Sequence, residues 1–146
     1  MKISTRARYG TRLLLELGLH YGKGPVFLKD IAKNEEISEK YLSQIMITVK
    51  SAGFVNSFRG AQGGYILARH PAEITLKEIV EALEGRFDLV ECVNNPSSCK
   101  RESICVTRDI WVEVGKMIAQ VLNSITLEDL VKRCREKQEK YGMYNI

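Results

Sequence analysis

The chain has 146 residues, of which 45% are hydrophobic and 27% charged, enough for one folded body with a core and some extension. No apolar run reaches membrane-spanning length, and the basic start MKISTRARYG leads into an apolar patch that Glu16 interrupts and no small-residue cleavage site follows. That argues against a membrane span and sets the expectation of no signal peptide and of a cytoplasmic protein with reduced thiols. The net charge of +4 is uneven: residues 1–80 hold 12 Lys/Arg against 7 Asp/Glu, and residues 81–146 hold 10 against 11. Basic charge on the first half suits a polyanion there.

Residues 5–21 place Ala7, Leu13, Leu14, Leu17 and Tyr21 at helical spacing, with Ser4 or Thr5 as cap and Gly22–Pro25 as the stop. Lys2 precedes this helix, and Arg6, Arg8 and Arg12 sit near its start, where free N–H groups already favour a phosphate. A short helix over 28–35 follows, with Leu28, Ile31 and Ala32 inward, then a break at Glu36–Ile37. Ser38 caps a second helix whose buried stripe is Leu42, Ile45, Met46 and Val49 and whose stop is Gly53. Two short helices joined by a tight turn form a helix-turn-helix, whose second helix enters the major groove N-terminus first. The residues at that leading end are Ser38, Glu39, Lys40, Tyr41, Ser43 and Gln44; Gln44 can bond adenine through two hydrogen bonds.

FVNSF and YILA then read as two strands around the turn RGAQGG. A hairpin directly after a helix-turn-helix is a wing. Arg59 and Gly60 stand at its tip, where an arginine can enter the minor groove. TLKEIVEALE forms a further helix, with a Thr75/Glu78 capping box and Leu76, Ile79, Val80 and Leu83 inward.

Cys92, Cys99 and Cys105 follow as C-x6-C-x5-C in a polar loop rich in Asn, Pro and Ser. Clustered thiols in a reducing compartment point to a soft metal or a sensor. An iron–sulfur cluster, zinc and direct thiol chemistry all remain open, though the spacing lacks the C-x2-4-C pairs of zinc fingers. Thr107–Ile125 carries Ile110, Trp111, Val114, Ile118, Val121, Leu122 and Ile125, a stripe wide enough for contact with a second copy. A last helix over 126–141 opens with Thr126 and Asp129, and the tail YGMYNI suits docking on the body or on a partner. His20 and His70 are isolated, and no P-loop, catalytic triad order or metal-hydrolase helix appears, so catalysis is not expected.

The expected fold is mostly α with a small β-hairpin: a winged helix-turn-helix domain plus a long dimerisation helix. Its units are residues 1–85, the cysteine-bearing loop 86–106, and the dimerisation and C-terminal helices 107–146. Together MKISTRARYGTRLLLEL, GPVFLKDIA, ISEKYLSQI, SFRGAQGGYIL, LKEIVEALEG, the three-cysteine loop and ITLEDLV resemble the winged-helix family of the iron–sulfur cluster regulator IscR, whose relatives include CymR and NsrR. The resemblance implies a homodimer on palindromic double-stranded DNA. It implies a cluster of the 2Fe–2S type on Cys92, Cys99 and Cys105, one per subunit, that governs operator binding at cluster-assembly or sulfur-metabolism genes. The cluster branch carries a histidine three residues after its third cysteine; here that place is Arg108, which cannot coordinate. The fourth ligand stays open among Glu91, Glu102, Asp109, Cys134, His20 and water. The tail is also similar to CymR-like members, which implies the alternative of a repressor that senses through a regulatory protein partner or free thiols.

Overall fold

The computed structural model describes residues 2–86 and 88–142. The last four residues of the expected docking tail lie outside that range. Helix α1 (Thr5–Leu19) is capped by Ser4, whose Oγ accepts from the Ala7 N–H at 3.0 Å. Helices α2 (Leu28–Glu35) and α3 (Glu39–Ser51) form the helix-turn-helix. Strands β1 (Val55–Phe58) and β2 (Gly64–Leu67) pair antiparallel, with Val55 opposite Leu67 and Phe58 opposite Gly64. Val26 bridges Tyr65 as a short third edge, so the α1–α2 connection is tied to the wing.

Helix α4 (Leu76–Glu84) starts on the anticipated capping box: Glu78 N–H donates to Thr75 Oγ1 at 3.2 Å, and Thr75 N–H donates to Glu78 Oε2 at 2.9 Å. A short α5 (Glu91–Asn94) and two 3-10 turns carry the cysteine loop. Helix α6 (Val106–Ser124) and helix α7 (Leu127–Gly142) complete the chain.

One core unites most of these elements. Leu13, Leu14 and Leu17 of α1 pack with Ile31, Leu42, Ile45, Val49, Val55, Leu67, Ile79 and Leu83. Each fully buried Leu or Ile contributes about 1.5–3 kcal/mol. Gly10 lets α1 and α4 approach closely, because a Cβ there would stand 2.4 Å from a methyl of Leu83. Helix α7 joins the same core through Leu127, with Leu130 packed against it, and its buried Val131 lies beside Gly18 of α1. Its start is fixed by paired backbone bonds, Leu76 N–H to Ile125 C=O and Leu127 N–H to Ile74 C=O, both 2.8 Å.

Helix α6 differs from the rest. It buries no residue fully among those described. Val112, Ala119 and Leu122 lean toward Val80 of α4, across a cavity of about 270 Å³. The opposite face leaves Ile110, Met117 (60% exposed) and Val121 (59%) in solvent. The anticipated stripe therefore splits into a face on the body and an uncovered face.

Candidate nucleic-acid interface and cysteine loop

Ser38 adopts extended backbone, and its Oγ accepts from the Tyr41 N–H at 3.1 Å, which starts α3. Leu42, Ile45, Met46 and Val49 point inward and hold α3 on the core. The same register turns Lys40, Ser43, Gln44 and Ile47 outward on one face, at i, i+3, i+4 and i+7. Glu39 is exposed beside them. Ser43 Oγ donates to the Lys40 carbonyl at 2.6 Å, so its hydroxyl is left as an acceptor.

Two residues depart from their anticipated settings. Tyr41 is half-buried, and its ring meets that of Tyr9 edge-on at 5.8 Å, so it faces α1 more than solvent. Arg12 is occupied: its Nε donates to Glu35 Oε2 at 2.8 Å. Ile47 was not anticipated as a surface contact, yet it is 71% exposed. Its signal was present in the sequence, since position 47 falls outside the buried stripe.

Lys2, Arg6 and Arg8 sit at the open start of α1 and are exposed. Arg8 Nη2 donates to Thr5 Oγ1 at 3.1 Å within its own turn, and Arg6 donates to Thr48 Oγ1 on α3. At the wing tip Arg59 is exposed, and Gly60 takes φ +104°. Gly64 takes φ +132°, and a Cβ there would stand 2.6 Å from the Val26 carbonyl. Only glycine fits where the wing crosses the third edge.

In the cysteine loop, Cys92 lies on α5, Cys99 is exposed between the two 3-10 turns, and Cys105 caps α6. All four cysteines of the chain are free. Among the described residues no three His, Cys, Asp or Glu side chains converge as a metal site. The loop buries none of its described residues, so few contacts hold its thiols apart. The Thr107 hydroxyl, 3.2 Å from Cys105 Sγ, holds that thiol below its usual range, helped by the Arg108 backbone N–H. The Arg108 side chain spans the loop, with Nε donating to the Cys92 carbonyl at 3.4 Å and Nη2 lying 3.6 Å from Glu102. Cys134 stands apart on α7, where burial and the charges of Glu16 and Glu35 push its thiol up.

A helix-turn-helix on a shared core, followed by a glycine-turned wing under a basic helix start, defines a winged-helix DNA-binding regulator. Comparison with known proteins agrees. The family model described as Rrf2, iron-dependent transcriptional regulator, matches residues 3–133, and the chain belongs to the Rrf2 family. It is 42% identical over 132 residues to protein rrf2 of Nitratidesulfovibrio vulgaris, covering 90% of this chain and 88% of that one. It is 40% identical over 144 residues to the HTH-type transcriptional regulator CymR of Bacillus subtilis, covering 99% of both. The solved structure of T. potens IscR superposes with TM-score 0.78 at 41% identity, covering 94% of this chain and 91% of that one. The chain is a DNA-binding transcriptional regulator and not an enzyme.

Proposed function

We propose that two copies of this chain pair through α6 and bind a palindromic duplex, and that an iron–sulfur cluster held by Cys92, Cys99 and Cys105 controls the binding. The observation that supports this most is the place of the three thiols. They lie on the segment that leads from α4 into α6, the helix with the uncovered face, so a group gathered there bears on how α6 is held and on the spacing of two recognition helices. The donor set suits such a group: three free soft thiols on an unanchored loop, one of them, Cys105, held below the usual thiol range by the Thr107 hydroxyl. Arg108, in the place of the branch's histidine, supplies no ligand and instead holds the Cys92 carbonyl.

In this reading residues 1–85 contact DNA, 86–106 respond, and 107–146 join the copies, although α7 rests on the first unit's core. Lys40, Ser43 and Gln44 face base edges, with Ser38 and Glu39 at the leading end. Ile47 meets a thymine methyl group, and Lys2, Arg6, Arg8, Arg59 and Gly60 approach the sugar–phosphate backbone and minor groove. The setting is the cytoplasm, and the targets are cluster-assembly or sulfur-metabolism genes.

The test is an anaerobic absorbance spectrum with an iron and sulfide count, on the parent and on Cys92→Ala. It is paired with binding of apo and reconstituted protein to a duplex that the parent selects from a random-sequence library. Iron and sulfide in the parent alone, with unequal affinities of the two forms, support the reading. Equal affinities remove the sensor and leave the regulator. A second reading, a repressor that senses through a protein partner or free thiols, is favoured by the end-to-end match to CymR. A colourless protein that cannot be loaded would select it.

A further inference from the structure

Arg6, Tyr9, Arg12 and Glu16 recur at steps of three and four along α1, so they form one ridge. That ridge crosses both helices of the helix-turn-helix. Arg6 donates to Thr48 in the third turn of α3. The Tyr9 ring meets Tyr41, in the first turn of α3, at an interplanar angle of 87°. Arg12 Nε donates to the Glu35 carboxylate at 2.8 Å, its Nη2 donates to the Glu35 backbone carbonyl, and its guanidinium lies 5.4 Å from the Tyr9 ring centre. Glu16 accepts from Asn34 Nδ2 at 3.3 Å.

Arg12 thus does two things for α2. It covers a carbonyl that the helix leaves without an internal partner, and it places a cation at the negative end of the helix dipole. It does so at the residue just before Glu36, whose φ of +53° is unusual for a residue with a side chain. The turn that sets the angle between α2 and α3 therefore starts from a point held by another helix. The stack from Arg12 through Tyr9 to Tyr41 carries the same restraint to the leading end of α3.

We infer that Arg12, together with Tyr9 and Glu35, is a positioning residue: it fixes how α3 is presented to the major groove and does not contact phosphate. This rests on α3 being the helix that enters the groove. Arg8, whose guanidinium lies 6.0 Å from the Tyr9 ring centre, and Arg59 by contrast make no ion pair among the described residues. The fork geometry matters as well as the charge, because one guanidinium serves a carboxylate and a carbonyl at once.

The experiment measures affinity for the parent-selected duplex and for poly(dI-dC) across a salt series, using Arg12→Met, Arg12→Lys, Glu35→Gln, Arg8→Met and Gln44→Ala. Arg12→Met is expected to weaken the selected duplex about tenfold. It should leave poly(dI-dC) affinity and the salt slope at parental values. Arg12→Lys should resemble Arg12→Met. Glu35→Gln should also weaken binding, although removing an acid near DNA would tighten it on charge alone. Arg8→Met should lower the salt slope by roughly 0.9 for each phosphate that is no longer neutralised. A lowered slope in Arg12→Met, a parental Arg12→Lys, or tighter binding by Glu35→Gln overturns the inference. If Gln44→Ala weakens binding and Arg12→Met does not, this inference alone falls. If Gln44→Ala is also without effect, the assignment of α3 falls first.

Discussion

The DNA-reading body and the segment from Cys92 to Ser124 follow different physical rules. The body closes on itself: α1 to α4, the wing and α7 share one core in which Leu13, Leu14, Ile31, Leu42, Ile79 and Leu127 are fully buried. The second segment buries no described residue completely, and its longest helix presents Ile110, Met117 and Val121 to solvent. The body's geometry is set by its own contacts. The loop makes few contacts of its own, and α6 rests on α4 by one face while its other face stays open. Such a division lets the reader stay folded whatever the second segment does, as the proposed switch requires.

The sharpest way to break this comparison is to charge the uncovered face. In Ile110→Glu/Val121→Glu, a parental dimer at micromolar concentration is expected to become monomeric in sedimentation velocity. Circular dichroism should stay parental, because neither side chain is buried within one chain. A parent already monomeric at that concentration would leave the α6 face without its proposed cover.

Matched truncations come next. Leu42→Ala removes a fully buried side chain of α3 and is expected to cost about 2–5 kcal/mol in urea unfolding. Met117→Ala should cost under about 0.5 kcal/mol at concentrations that favour the monomer. It should show its larger effect as a weaker dependence of melting temperature on protein concentration. Similar costs for both would erase the distinction between the regions. A smaller change tests the wing: Gly64→Ala forces a side chain into a left-handed backbone and onto the Val26 carbonyl, and should cost about 2 kcal/mol in the same unfolding assay.

The elements of the body were legible because each carried its own local signal. The Thr75/Glu78 capping box, the stripe of Leu42, Ile45, Met46 and Val49, and the glycines around Arg59 each name one structure. Helix α6 was legible as a helix, but its division into a body face and a free face depends on where α4 lies. Local pattern could not settle Arg12 or Tyr41 either. In the sequence Arg12 looks like a phosphate contact and Tyr41 like a groove-facing residue, and only the crossing of α1 over the two reading helices turns them toward Glu35 and Tyr9. The thiols were legible as a set and not as an arrangement, since spacing limits reach without specifying convergence.

Glu16 was misleading in a more useful way. It breaks an apolar run, yet it is only 8% exposed, beneath Asn34 and beside Glu35. Burial raises its carboxyl above the ordinary 4.5, the Glu35 charge adds to that, and the bond from Asn34 and the nearby His20 oppose it. The folded state therefore holds this proton more tightly than the unfolded chain does. The linked stability is fully present below the unfolded value and is lost as pH rises through the raised folded value. Glu16→Gln keeps the acceptor for Asn34 and cannot ionise. Its melting temperature should match the parent's near pH 4 and exceed it by a margin that grows toward pH 7, remaining under about 4 °C. A margin constant from pH 4 to 7 would show that the carboxyl ionises in the fold as freely as in the unfolded chain. The body would then tolerate a buried charge where its packing says it should not.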